Sequence, residues 1–171
     1  MSLLNLNQTI VSKLNATLLY QASRDGFNAK AFHAKCDGVL GTLILVKTNN
    51  ANIFGGFTKA DWYSSVGYLP KYDDDAFLFS LVNSYNIPVK MNIITPSNAI
   101  VAADYLGPSF GDSNSNCDLC FSQTSPSGDF SYGSSSVGGY YQLPSYPSDP
   151  LLLAGSIAFQ AIQIEVFSIQ Y

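Results

Sequence analysis

Seven short β-prone runs, each cut off by a cluster of Gly, Asn, Pro or Ser, leave this chain little choice of fold class. They are "TLILVK" (42–47), "NIFGGF" (52–57), "AFLFSLV" (76–82), "VKMNII" (89–94), "AIVAAD" (99–104), "DLCFSQ" (118–123) and "IQIEVFSI" (162–169). Runs of this length, rich in β-branched and aromatic residues and separated by turn formers, predict a mainly β, antiparallel sandwich or barrel. Several are apolar at successive positions, so a helix or loop is expected over the outer face of one sheet. Residues 107–149 are rich in Gly, Ser, Pro and Tyr and are read as loop-dominated, with one strand inside.

Two helical segments are expected before the β-rich part. Leu3, Leu6, Ile10, Leu14 and Leu18 stand at helical spacing, which predicts a short amphipathic helix over 3–18. A brief strand, "LLYQA" (18–22), follows. In "GFNAKAFHAKCDG" Asn28 is placed to cap a helix, Phe27 and Phe32 to form a hydrophobic staple across its first turn, and Gly38 to end it. Residues 1–17 are thus expected as an N-terminal helical segment packed on a domain of residues 18–171.

Composition narrows the function. The 171 residues include 8 cationic and 12 acidic side chains, a formal charge of −4, with no basic stripe for nucleic acid or anionic lipid. No apolar run approaches the roughly 20 residues of a bilayer span. The stretch "MSLLNLNQTIVSK" lacks a basic n-region and an unbroken apolar core, and 3 cysteines do not suggest a disulfide framework. The expectation is a reduced, cytoplasmic protein.

The candidate reactive groups do not assemble. "DSNSNCD" sets Asp112, Asn114, Asn116 and Asp118 at alternate positions, but Cys117 and Gln123 replace the glycine and glutamate a calcium loop needs, so a polar turn is favoured. "CDLC" has C-x-x-C spacing, yet zinc would need two more soft ligands and a redox dithiol would open a helix. On a strand Cys117 and Cys120 would face opposite sides. His33, the single histidine, is read as half-buried and hydrogen-bonded, and Asp73–Asp75 as a solvated turn. No catalytic residue, cofactor or metal is assigned.

Read together, "LLYQASRDGFNAKAFHAKCDG", "TLILVK", "NIFGGFTKADW", "AFLFSLVN", "GPSFGD" and "IEVFSI" resemble the successive blocks of the TLDc domain, from about Leu18 to Ile169. The resemblance implies a two-sheet antiparallel β-sandwich with a few flanking α-helices. It also implies a link to oxidative-stress resistance and binding to the peripheral part of the vacuolar proton-pumping ATPase. The reading is therefore a non-enzymatic protein-binding module. Its rivals are a thiol enzyme or peroxide scavenger using Cys36, Cys117 or Cys120, and a lectin-like module using the loops around Tyr132, Tyr140 and Tyr141.

One polar pair stands out. Arg24 is the single arginine and Glu165 the single glutamate, and a planar fork suits a bidentate carboxylate partner that lysine serves less well. Arg24 is expected to pair with Glu165 or with Asp25, tying the first strand to the last. Gly26, next to that pair, and Gly55 and Gly56, inside a β-run, are expected to be positions where the backbone needs glycine.

Overall fold

The computed structural model describes residues 15–63, 67–112, 117–122 and 129–170. In chain order its elements are β1 (Ala16–Gln21), α1 (Ala22–Asp25), α2 (Ala29–Cys36), β2 (Thr42–Thr48), β3 (Ile53–Thr58), β4 (Leu69–Lys71), β5 (Phe77–Val82) and β6 (Val89–Asn92). A 3-10 turn (Pro96–Asn98) then leads to β7 (Ile100–Ala102), β8 (Leu119–Phe121), β9 (Tyr132–Ser135) and β10 (Ala158–Ile169). The protein is mainly β, and the strand pairs are antiparallel. No described helix is long and apolar enough to cross a membrane.

The strand β10 organises the sheet. Its C-terminal part pairs β2 on one side and β1 on the other, while Ala158–Gln160 pair β9. From β10 one arm runs β2, β3, β5, β6 and the other runs β9, β8. The bridges Phe110↔Leu119 and Ile100↔Phe110 carry this second arm on to the small β4–β7 sheet. Alternation along the strands divides the side chains. Ile44, Val46, Phe54, Leu78, Ile164 and Val166 of the first arm join Ile100, Phe110, Leu119 and Phe121 of the second in one buried cluster. Five rings cross that core edge to face: Tyr20, Phe32, Trp62, Phe110 and Tyr141, with successive centroids 5.5–6.1 Å apart. Trp62 also donates its indole N–H to Thr42 Oγ1 at 2.9 Å.

The helix α2 forms as its sequence expects. Asn28 accepts the Ala31 N–H at 2.8 Å, Phe32 is buried and Phe27 packs against the same core. Other expectations are corrected. The helix expected over 3–18 does not extend through its last residues, because Ala16–Leu18 pair with β10; positions 3–14 lie outside the described residues. A ladder along β10 outweighs helical periodicity there, and β1 ends at Gln21 instead of Ala22. The segment 107–149 holds a second strand, β9, whose "YGSS" core has weak β propensity but is paired on both edges, by β8 and β10. The three-residue β4, containing Pro70, gave no periodic signal.

The cysteine expectation also changes. Cys117 and Cys120 are joined in a disulfide, with Cα atoms 5.9 Å apart. Cys117 precedes β8 by two residues, so the strand alternation that would have parted the sulfurs does not reach it.

Candidate functional site

The stretch 20–26 turns from strand to helix and locks itself in place. Arg24 donates from Nε to Asp25 Oδ1 at 2.9 Å and from Nη2 to Asp25 Oδ2 at 2.7 Å, and Nη2 also reaches the Leu19 carbonyl at 3.2 Å. The Gln21 N–H donates to the same Asp25 Oδ2 at 2.9 Å. With the guanidinium clamped on it, the Asp25 carboxyl is held below the usual carboxylate range. Tyr20 closes the turn, donating its phenol O–H to the Gly26 carbonyl at 2.7 Å. Gly26 has φ +107°, and a Cβ there would meet Asn28 Nδ2 at 2.8 Å, so the position suits glycine alone.

Arg24 therefore takes its neighbour Asp25 as partner. The tie from β1 and α1 to the last strand is made by glutamines. Gln21 Nε2 donates to Glu165 Oε1 at 2.9 Å. Gln163 accepts from Ser23 N at 3.1 Å and donates to Ser23 Oγ at 2.7 Å. Glu165 is fully buried, whereas the Arg24 side chain is 48% exposed. The Arg24–Asp25 pair is a surface pair, so the large cost expected for breaking a buried pair does not apply to it.

The remaining reactive groups serve the fold. His33 Nδ1 meets Asp37 Oδ1 at 2.6 Å, and its Nε2–H donates to the carbonyls of Ala103 at 2.8 Å and Leu106 at 3.0 Å. Both ring nitrogens are thus engaged, fastening α2 to the turn after β7. Cys36 is buried, and burial pushes its thiol far above its usual pKa, with Asp37 and Asp25 adding to the effect. Asp73 is not part of a solvated turn: it is 5% exposed and accepts from Thr58 Oγ1 at 2.7 Å, from Lys59 N at 2.6 Å and, on its other oxygen, from Asp75 N at 3.0 Å.

The burial of Asp118, read from the sequence only as part of a polar turn, was likewise not anticipated. Asp118 is fully buried and accepts the N–H of Gly138 (2.7 Å), Gly139 (3.1 Å) and Tyr140 (2.8 Å). Burial pushes its carboxyl up, and the ring of backbone donors pulls it back. Its oxygens face protein donors, which fits the polar-turn reading of "DSNSNCD"; Asn114 and Asn116 lie outside the described residues. The signal was the "GGYY" run, since consecutive N–H groups beside glycines form an anion-binding nest. Of the tyrosines considered for a glycan site, Tyr132 is exposed, Tyr140 half-buried and Tyr141 fully buried, its O–H donated to the Ala99 carbonyl at 2.5 Å. They do not form one platform. Gly56 faces the Phe110 ring, whose nearest atom would lie 2.5 Å from a Cβ, and Gly55 lies against the β2 backbone.

The family model of the TLDc domain matches residues 2–170. Among curated proteins no match to the chain was found.

Proposed function

Since the chain belongs to the TLDc family, we propose that it is a non-enzymatic protein-binding module. Its partner in this reading is the peripheral part of the vacuolar proton-pumping ATPase, and its role is in resistance to oxidative damage. We further infer that the two arms joined at β10 are the two leaves of a β-sandwich, a frame that presents loops and edges to a partner. The observation that carries the reading is the family match along nearly the whole chain. The commitment of His33, Cys36, Asp73 and Asp118 to hydrogen bonds or burial within the fold supports it, because a general base or nucleophile needs an unengaged, accessible atom. A cytoplasmic location is part of the same proposal and rests on the partner named, not on the cysteines, since Cys117 and Cys120 are paired.

The test is a pull-down with the full chain as bait from cytosol and from detached peripheral pump subunits, scored by mass. Enrichment of pump subunits over an unrelated β-sandwich bait is expected. Equal recovery on both baits overturns the assignment of partner.

A further inference from the structure

The turn between β2 and β3, the chain leaving β5 and the stretch 149–155 meet in a polar cleft. Its lining includes Asn50, Asn52, Val82, Asn83, Asp149 and Gly155, and its volume is about 540 Å³, within the usual range for ligand sites. Most of its polar groups already have partners within the fold. Asn50 accepts from Thr48 Oγ1 and donates from Nδ2 to the Ala154 carbonyl at 3.0 Å. Asn83 donates to Ser80 Oγ at 2.9 Å and to the Ile87 carbonyl at 2.8 Å, and accepts from Tyr85 N at 3.0 Å. Asp149 accepts from Leu151 N at 2.9 Å and from the Tyr85 phenol at 3.0 Å. These bonds hold the walls in place. Asn52 is the exception: it is 8% exposed, and its side-chain amide makes no hydrogen bond among the described residues. A Cβ on Gly155 would stand 3.6 Å from Asn52 Nδ2, so glycine there leaves the amide uncovered toward the cleft. A buried amide without a partner carries a desolvation cost, which a ligand with both a donor and an acceptor removes.

We propose that this cleft binds an extended segment of a partner polypeptide, with the Asn52 amide paired to the N–H and C=O of one peptide unit. The proposal rests on the protein-binding reading above and adds to it a site and the chemistry of what fills it. The amide side chain carries an acceptor and donors together, the complement of a peptide unit, and an extended segment, unlike a helix, has those groups free to pair. Asp149 is the charged residue of the lining and no described cation joins it. That disfavours phosphates and nucleotides and favours a segment carrying Lys or Arg. Val82, 41% exposed, and the half-buried Leu151 give an apolar wall for a neighbouring side chain. No aromatic ring lines this cleft to stack on the face of a sugar. Past Asn50 the surface continues into a second cleft of about 410 Å³, whose lining includes Asn49, Tyr132 and Gln160, which suits an elongated ligand.

The probe is a library of random peptides displayed on phage, selected on the full chain with the Asn52→Leu protein as counter-bait. Leucine is close to asparagine in size and leaves no unpaired amide, so the variant should melt no lower than the wild type. Peptides that carry Lys or Arg and bind the variant about tenfold more weakly are expected, since two hydrogen bonds are lost. Adding such a peptide to the wild type should shift the Asn52 side-chain NH2 resonances, a readout that stands even if the variant fails to fold. No enrichment, equal affinity for the two proteins, or unmoved Asn52 resonances overturns the proposal. So does a neutral oligosaccharide on a glycan array that binds the wild type and not the variant, which would reassign the cleft to sugars. The pump assignment fails separately. Pump subunits recovered equally by the wild type and Asn52→Leu keep that partner and remove the cleft, whereas selected peptides without pump recovery keep the cleft and remove that partner.

Discussion

Replacing Gly55 by alanine tests how tightly the centre of the sheet is closed. Gly55 sits in β3 between Leu45 of β2 and Phe79 of β5. A Cβ built there lies 1.8 Å from the Ile44 carbonyl oxygen and 2.9 Å from Phe79 Cζ. The phenylalanine ring can turn away, but the carbonyl is backbone. Reaching the 3.0 Å below which real contacts essentially never fall requires 3.0 − 1.8 = 1.2 Å of separation between β2 and β3. A ladder bond near 2.9 Å stretched by that amount lies well outside hydrogen-bonding range. Two weakened ladder bonds cost about 1 kcal/mol each, and the strain of overpacking adds about 1–3 kcal/mol. The lower backbone entropy of an unfolded alanine offsets roughly 0.4–1 kcal/mol. The net is a loss of about 3 kcal/mol, which for a domain of this size lowers Tm by roughly 6–12 °C. Urea and thermal melts followed by circular dichroism measure it. Gly38→Ala is the control, because a Cβ there meets nothing within 4 Å and the only cost is its φ of +73°, about 1–2 kcal/mol. A Gly55→Ala protein within about 1 kcal/mol of the wild type would show that β2 and β3 part freely, refuting the argument from close backbone approach.

Asp118→Asn turns an amide NH2 toward one or more of the backbone donors of Gly138–Tyr140; leaving a buried donor unmatched costs about 1–3 kcal/mol, read as a lowered urea midpoint, and an unchanged midpoint would show that the 138–140 turn holds itself. Native, unreduced protein should show almost no reactive thiol to Ellman's reagent and one after denaturation, since Cys36 is buried and Cys117 and Cys120 are paired; fast native labelling would revive the scavenger reading. The Asp25 carboxyl is lowered in the folded state, so the stability it contributes is present above the ordinary carboxylate range near 4 and is lost as pH falls through its folded value. Arg24→Lys should therefore melt below the wild type at neutral pH, with the gap closing in acid, and a gap independent of pH would show that the lysine acts through something other than Asp25.

How much of this was legible in the chain depends on the range of the interactions concerned. Asn28, Phe32 and Gly38 define α2 within one stretch of sequence, because a capped helix satisfies its hydrogen bonds locally. The apolar runs of β2, β3, β5 and β10 announced themselves through side chains that must leave water whatever strand lies beside them. The ordered set of blocks from Leu18 to Ile169 was enough to place the family, and the choice of Asp25 as a partner for Arg24 was open to sequence reasoning because the two are adjacent.

Only the tertiary structure decided the rest. Residues 16–18 are extended because β10, 149 to 153 residues further on, offers them a ladder, and β9 is a strand because it lies between β8 and β10. Glu165 has Gln21, 144 positions distant, for a donor, and Asp118 has the N–H groups 20 to 22 residues further on. Backbone donors and acceptors are the same at every residue, so the sequence carries no mark of which one a buried carboxylate or an edge strand will find. That pairing is fixed when the apolar faces close on one another and exclude the water that would otherwise have served.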